Sequence, residues 1–295
     1  MIGWIHSYMK MPRIDRLLTL YFFHPFKRFI KNWQGLRIPI LMYHSISNGD
    51  ESGVHPYYRV NTSPEVFEQH MEYLYSKGYS VVGLDSLPLL FQEEKNKTLN
   101  QSRRYVVITF DDGFRDFYLQ AFPVLKKYRF TATVFLVTEA IGIGSEKFKD
   151  KEFLKWSEVR ALSNEGICFG SHTATHPQLK LLDNERVRKE IKYSTKEIEN
   201  QLGKSPNSFS YPYKFPENDE VFTSFLEGLL IENHFKFGVS TRLGSTSLKD
   251  ARYYMKRIPI NSDDDINLFK AKIDGGYDWL YMPQYLFKIV RQRLS

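Results

Sequence analysis

The chain has 295 residues, of which 42% are hydrophobic and 25% charged; this composition allows a large buried core and excludes a wholly disordered, collagen-like or coiled-coil protein. Its single cysteine, Cys168, excludes an internal disulfide framework and any metal site built on several thiolates. The net charge of +7 is concentrated at the ends: residues 1–40 carry +6, residues 279–295 carry +3 and the rest carries −2. A slightly acidic body argues against a nucleic-acid partner.

Both basic ends are also rich in large apolar residues. Basic residues interleaved with aromatic ones are typical of a helix on an anionic membrane surface, so we predict a basic amphipathic segment over residues 1–37 and a basic helical segment over residues 263–295. The alternative is a pair of terminal helices packed on the domain, and the sequence leaves both open. The apolar residues are Leu17, Leu18, Leu20, Tyr21, Phe22, Phe23, Phe26, Phe29, Ile30 and Trp33 at one end and Trp279, Leu280, Tyr281, Tyr285, Leu286, Phe287, Ile289 and Val290 at the other.

The N-terminal apolar stretch does not have the pattern of a secretion signal. His24, Pro25, Lys27 and Arg28 interrupt it, and no small-residue cleavage site follows. We therefore expect a cytoplasmic protein, with the inner membrane face as a site of peripheral contact.

From residue 38 onward, short apolar runs alternate with helical patterns. Arg104–Phe110 is the clearest strand, because it is β-branched through its middle, and Cys168 is expected to be buried in a later one. The predicted strands are Ile38–Tyr43, Tyr79–Val82, Arg104–Phe110, Thr131–Val137, Ile167–Phe169, Asn207–Tyr211, Phe235–Ser240 and a segment near Arg257–Ile260. Helices are predicted over about residues 64–77, 84–91, 114–128, 157–164, 183–202 and 218–232. This alternation predicts an α/β fold, a distorted β/α barrel of about seven parallel strands over residues 38–262.

Polar residues follow four of the predicted strands at the point where each strand ends. In a β/α barrel these ends lie on one side, so we expect the residues to share a single site. They are His44 after the first strand, Asp111 and Asp112 after Phe110, His172 and His176 after Phe169, and Tyr211, Pro212 and Tyr213.

Two features of these segments indicate a metal site. His172 and His176, four residues apart, would lie on one face of a helical turn and could chelate one ion. The adjacent carboxylates of Asp111 and Asp112 repel, so one of them needs a proton or a cation. A three-ligand site of the two histidines and one aspartate follows, suited to Zn²⁺ or another first-row divalent metal.

The motifs T-F-D-D-G (residues 109–113) and S-H-T-A-T-H-P (residues 171–177), in this order, resemble those of the polysaccharide deacetylase family, the NodB-homology or carbohydrate esterase family 4 enzymes. The resemblance covers roughly residues 38–262. It implies a metal-dependent hydrolase that removes N-acetyl groups from an amino-sugar polysaccharide or oligosaccharide, as in exopolysaccharide biosynthesis. It also implies that Asp111 is the base and that the backbone N–H of Tyr213 helps to bind the oxyanion. The metal ligands that it implies are Asp112, His172 and His176.

The chain departs from the family pattern at two positions. Ser210 stands where many members have an arginine that orients the base, and Arg257 is a candidate replacement. No Leu-His motif supplies the usual late histidine acid. Instead, L-M-Y-H-S-I at residues 41–46 resembles the poly-N-acetylglucosamine deacetylase branch, in which the motif order is circularly permuted, and this implies that His44 is the acid.

Two other functions remain open from the sequence. The same barrel and metal would suit hydrolysis of another non-peptide C–N bond, such as that of a small cyclic amide or ureide. The departures at Ser210 and at the late histidine would also suit a catalytically inactive saccharide-binding protein. The oligomeric state cannot be read from the sequence.

Overall fold

The computed structural model describes residues 13–27, 35–100, 102–142 and 151–294. At its centre is a closed barrel of seven parallel strands, which confirms the predicted fold class. Strands that are consecutive in the chain are neighbours in the ring, and β1 closes it by pairing with both β2 and β7. The strands are β1 (Ile40–Tyr43), β2 (Arg104–Phe110), β3 (Thr133–Leu136), β4 (Cys168–Ser171), β5 (Ser208–Ser210), β6 (Phe237–Leu243) and β7 (Met255–Pro259).

Helices surround the barrel, and a short strand, Tyr79–Val81, pairs with β2 outside the ring. The helical residues 14–27 form α1, whose middle section Thr19–Phe23 is π-helical. The others are α2 (Pro64–Ser76), α3 (Leu87–Lys95), α4 (Phe122–Tyr128), α5 (Trp156–Asn164), α6 (Asn184–Leu202), α7 (Glu220–Glu232), α8 (Ile266–Ala271) and α9 (Tyr281–Leu294).

The expected sequence signals begin and end these elements. The Ser63 hydroxyl accepts a hydrogen bond from Val66 N at 3.3 Å, which caps α2. Asp183 caps α6 in the same way, and Gly203 ends that helix with a left-handed φ of +68°. In β2, six of the seven residues are buried, because helices and barrel interior cover both of its faces.

Two expectations about strands were wrong. The run predicted as one strand over Ile38–Tyr43 is divided at Pro39, which has no N–H for a ladder bond, and Ile38 pairs with Thr246 in a separate antiparallel ribbon. Cys168, expected in the core, is exposed because it is the first residue of β4; the three residues after it are buried.

The two ends of the chain contact each other and the barrel. The Phe23 and Trp279 rings stack with centroids 4.4 Å apart, so α1 lies against the segment that leads into α9. Of the predicted terminal segments, Phe29, Ile30 and Trp33 lie outside the described residues, as do the side chains of Lys288, Ile289, Val290, Arg291 and Arg293. The boundaries at residues 37 and 263 stay predictions.

A buried ion pair holds the C-terminal part of the fold. Lys272 Nζ lies 2.7 Å from Asp264 Oδ2 and also donates to the Pro259 carbonyl at 2.7 Å. Asp264 has no exposed surface and Lys272 almost none. Removing one partner of such a pair leaves an uncompensated charge in the interior.

We therefore expect Lys272→Met to lower the free energy of unfolding by about 3 kcal/mol, measured by urea denaturation. The control is Lys126→Met, because Lys126 pairs with Glu165 on the exposed surface at 2.9 Å; that change should cost less than about 1 kcal/mol. Equal effects of the two substitutions would contradict a special role for the buried pair.

Candidate active site

The polar residues that follow the strands meet at one end of the barrel. Tyr43 in β1 is in register with Phe110 in β2, so the next residues, His44 and Asp111, are neighbours. Asp111 N donates to the Tyr43 carbonyl at 3.0 Å, which fixes this step of the ladder. The prediction of one shared site at the strand ends therefore matches the placement of these residues.

Asp112, His172 and His176 form a compact cluster. Asp112 Oδ1 lies 3.5 Å from His172 Nε2 and 3.4 Å from His176 Nε2. One ligand atom from each residue lies within 4.8 Å of the other two. Ligands about 2.1 Å from a tetrahedral Zn²⁺ lie roughly 3.4 Å apart, so both the donor types and the spacing fit a divalent ion.

Hydrogen bonding and burial keep His172 in the form that a metal needs. Its Nδ1 lies 2.7 Å from the Ser210 carbonyl, which can only accept, so Nδ1 carries the proton and Nε2 has a free lone pair. Burial lowers the pKa of His172 to about 4, although the charge of Asp111 opposes the shift. The imidazole is therefore neutral at pH 7.

Left-handed backbone positions shape the site. Asp112, Thr173, His176 and Tyr213 have φ between +56° and +73°, a region that non-glycine residues seldom adopt. The two histidines therefore do not sit on a helical turn, as their spacing predicted; they lie in an irregular loop after β4. At Gly113, also left-handed, a Cβ would come within 2.9 Å of Leu136 Cδ2, so the close approach there requires glycine.

Glu190 holds the loop between the two histidines. Its Oε2 accepts from the backbone N–H groups of Ala174 and Thr175, both at 2.9 Å, and its Oε1 accepts from the Thr175 hydroxyl at 2.7 Å. Three hydrogen bonds to one carboxylate offset the cost of the unusual backbone. No sequence pattern predicted this role, because Glu190 is one of many charged residues in α6.

Asp111 has a different set of partners from Asp112. Arg257 NH1 and NH2 donate to its two carboxylate oxygens, each at 2.7 Å, and the Ser210 hydroxyl donates to Oδ1 at 3.3 Å. Burial alone would raise the pKa of Asp111, but the guanidinium and the neighbouring His172 hold it well below its usual range. Arg257, from β7, thus takes the orienting position that Ser210 cannot fill.

His44 lies within electrostatic reach of the same groups. Burial lowers its pKa to about 4, with the negative charge of Asp111 opposing that shift and the charge of Arg257 adding to it. The imidazole is therefore neutral at pH 7 in the free protein.

Tyr213 stands at the mouth of the site. Its ring is 46% exposed and lies 4.6 Å from the His176 ring between centroids. The Thr241 hydroxyl donates to its carbonyl at 2.9 Å, which helps to fix the left-handed backbone there. A cavity of about 170 Å³ opens beside it, lined in part by Tyr211 and Phe215.

The chain is similar to several polysaccharide deacetylases. Residues 98–224 match the family model for polysaccharide deacetylases. YxkH of Bacillus subtilis (strain 168), classed with the polysaccharide deacetylases, is 29% identical over 246 residues, 83% of this chain and 79% of that protein. The poly-β-1,6-N-acetyl-D-glucosamine N-deacetylase of Staphylococcus aureus (strain MRSA252) is 26% identical over 74% of this chain and 73% of its own. The Streptococcus pyogenes deacetylase PplD, solved with acetate, superposes with a TM-score of 0.68 at 25% identity, covering 81% of this chain and 99% of that one.

The role of Glu190 can be tested by metal binding. We expect Glu190→Ala to weaken the affinity of the metal-free protein for Zn²⁺ by about 10- to 100-fold, because the loop loses the bonds that hold His172 and His176. The measurement is calorimetric titration, with Glu199→Ala, an exposed carboxylate on the same helix, as the control. Unchanged affinity in Glu190→Ala would mean that the loop keeps its shape without the carboxylate.

Proposed function

We propose that the chain is a polysaccharide deacetylase and hydrolyses the N-acetyl groups of an amino-sugar polysaccharide or oligosaccharide; its similarity to that family's model over residues 98–224 and to YxkH supports this. One observation carries the proposal: Asp111, oriented by Arg257, stands directly beside the Asp112, His172 and His176 cluster. A base next to a divalent-metal site at the end of a barrel suits the addition of water to an unreactive amide.

A divalent ion bound by Asp112, His172 and His176 would supply a Lewis acid and make the attacking water more acidic. We assign this ion as Zn²⁺, since two imidazoles and one carboxylate are ligands typical of catalytic zinc. Other first-row divalent metals share this preference, so metal analysis belongs to the test.

Asp111 acts as the base in this scheme. Arg257 keeps its carboxylate ionised and oriented. Oδ1 accepts from both Arg257 and Ser210, whereas Oδ2 accepts from Arg257 and retains a lone pair for the proton of the water. The water oxygen forms a bond to the acetyl carbon, and the carbonyl oxygen becomes an oxyanion. The Tyr213 N–H would donate to that oxyanion, and one such donor is worth about 3 kcal/mol.

His44 acts as the acid. In the free protein it is neutral, so the proton that it gives must reach it during the reaction. Negative charge on the tetrahedral intermediate raises the affinity of the imidazole for a proton, and the proton that Asp111 removed from water is available next to it. Protonation of the nitrogen then breaks the C–N bond and releases acetate and the free amine.

The surroundings support a sugar as the substrate. The exposed Tyr213 ring offers an apolar face of the kind on which a sugar ring packs, beside the cavity lined by Tyr211 and Phe215. The decisive measurement is acetate release from N-acetylglucosamine oligomers, stopped by a chelator and restored by Zn²⁺. Hydrolysis of small cyclic amides or ureides instead of the oligomers would favour the other C–N hydrolase, and saccharide binding without acetate release would favour an inactive binding protein.

Two substitutions separate the base from the metal ligands. Asp111→Asn should keep Zn²⁺ binding and lose nearly all turnover, because the amide cannot accept the proton. His172→Ala should lose both, because one of three ligands is missing. Acetate release and metal content are measured on the same samples, and wild-type turnover in Asp111→Asn would show that another group is the base.

The acid is tested by His44→Ala. We expect its rate of acetate release to fall by at least about 100-fold while metal content stays at the wild-type level. A substrate with a leaving group that needs no proton, such as a nitrophenyl acetate ester, should lose much less. Equal losses on amide and ester would contradict a role as acid and indicate damage to the site as a whole.

A further inference from the structure

The helix α1 exposes a row of large apolar side chains. Their spacing of three and four residues places them on one side of the helix, and their exposed fractions range from 38% to 76%. We call this row the terminal apolar face; it consists of Ile14, Leu17, Leu18, Tyr21, Phe22 and Phe26. Contiguous apolar surface of this kind marks a site of contact with another body.

Besides Phe23, which stacks on Trp279, the inward side of α1 makes polar contacts. Arg13 NH1 contacts Asp264 Oδ1 at 3.3 Å, and Asp15 Oδ2 accepts from the Tyr277 hydroxyl at 2.8 Å. Thr19 is fully buried, and its hydroxyl accepts from Trp279 Nε1 at 3.1 Å. In a helix on the surface of a globular domain, the apolar side chains normally face the core and the polar ones face the solvent. These bonds fix the rotation of α1, so the terminal apolar face cannot turn inward without breaking them.

The other end of the chain adds apolar surface close by. Trp279, which stacks on Phe23 of α1, immediately precedes α9. In α9, Met282, Leu286 and Phe287 are each more than half exposed. Both terminal helices therefore present apolar side chains outward, and the stacked rings join them.

The positive charge of the two terminal segments favours an anionic binding partner. Residues 1–40 carry +6 and residues 279–295 carry +3, whereas the rest of the chain carries −2. The one acid in the first segment, Asp15, is bonded to Arg13 and Tyr277 on the inward side of α1. A second copy of the chain would bring like charges together. An anionic bilayer instead has acyl chains to contact the apolar side chains and headgroups of opposite charge to the basic ones.

We propose that the terminal apolar face docks α1 onto the surface of an anionic lipid bilayer, with the helix lying in the plane of the interface. No helix in the described ranges has the length and apolar content needed to cross a bilayer. This inference concerns where the protein binds and is independent of the proposed deacetylase activity.

The test is cosedimentation of the full chain with vesicles. Wild-type protein should bind vesicles of phosphatidylcholine with phosphatidylglycerol, bind pure phosphatidylcholine far more weakly, and lose affinity as salt rises. Tyr21→Glu/Phe22→Glu should lower the partition coefficient by at least about 10-fold, because two large aromatic side chains leave the interface. The control, Val221→Glu/Ile231→Glu, makes the same charge change on α7, at residues that are 84% and 55% exposed and lie away from the cavity beside Tyr213.

Three results would overturn the proposal: no binding of wild type to anionic vesicles, an equal loss in the control, or self-association of wild type in solution that Tyr21→Glu/Phe22→Glu abolishes. Sedimentation velocity without lipid detects the last of these. Acetate release from soluble oligomers is measured on the same variants and should equal wild type, so a failure of docking is distinguishable from a failure of the deacetylase assignment.

Discussion

The buried ion pair between Arg257 and Asp111 organises the catalytic end of the barrel. A guanidinium with no exposed surface is costly unless its donors are satisfied, and here two go to Asp111 at 2.7 Å while Nε donates to the Ser240 carbonyl at 3.1 Å. In the ring, β1 lies between the strands that carry the two partners. The pair therefore spans β1 and fixes the carboxylate relative to His44, which follows that strand.

The same ion pair assigns different roles to two adjacent carboxylates. Arg257 keeps Asp111 ionised, whereas Asp112 faces the two imidazoles of the metal cluster. An aspartate with a lowered pKa is a weak base, so it can deprotonate only a water that is more acidic than bulk water. A cation held by the neighbouring cluster would meet that requirement, so in the proposed mechanism the base and the cluster act only together.

The sequence predicted the barrel and the convergence of the site because both depend on local patterns. Alternating strands and helices define the ring, and residues that follow strands must lie at one end of it. It did not establish the pairing of Arg257 with Asp111, since strands more than 140 residues apart become near neighbours only when the ring closes. Glu190 was missed because it is one of many charged residues in α6. The predicted helical turn of His172 and His176 was wrong because hydrogen bonds between their loop and Glu190 override the local spacing.

The contacts of α1 extend this dependence to the N-terminal segment. The Asp264 carboxylate accepts hydrogen bonds from Arg13 and Lys272, and its backbone carbonyl accepts one from His70 Nε2 at 2.7 Å. His70 Nδ1 in turn accepts from the Tyr43 hydroxyl at 3.1 Å, and Tyr43 directly precedes His44. Because each bond in this series is between buried or partly buried groups, α1 is held to the same framework that positions the proposed acid. A surface bound by α1 would thus set the orientation of the whole barrel, including the opening of its active site.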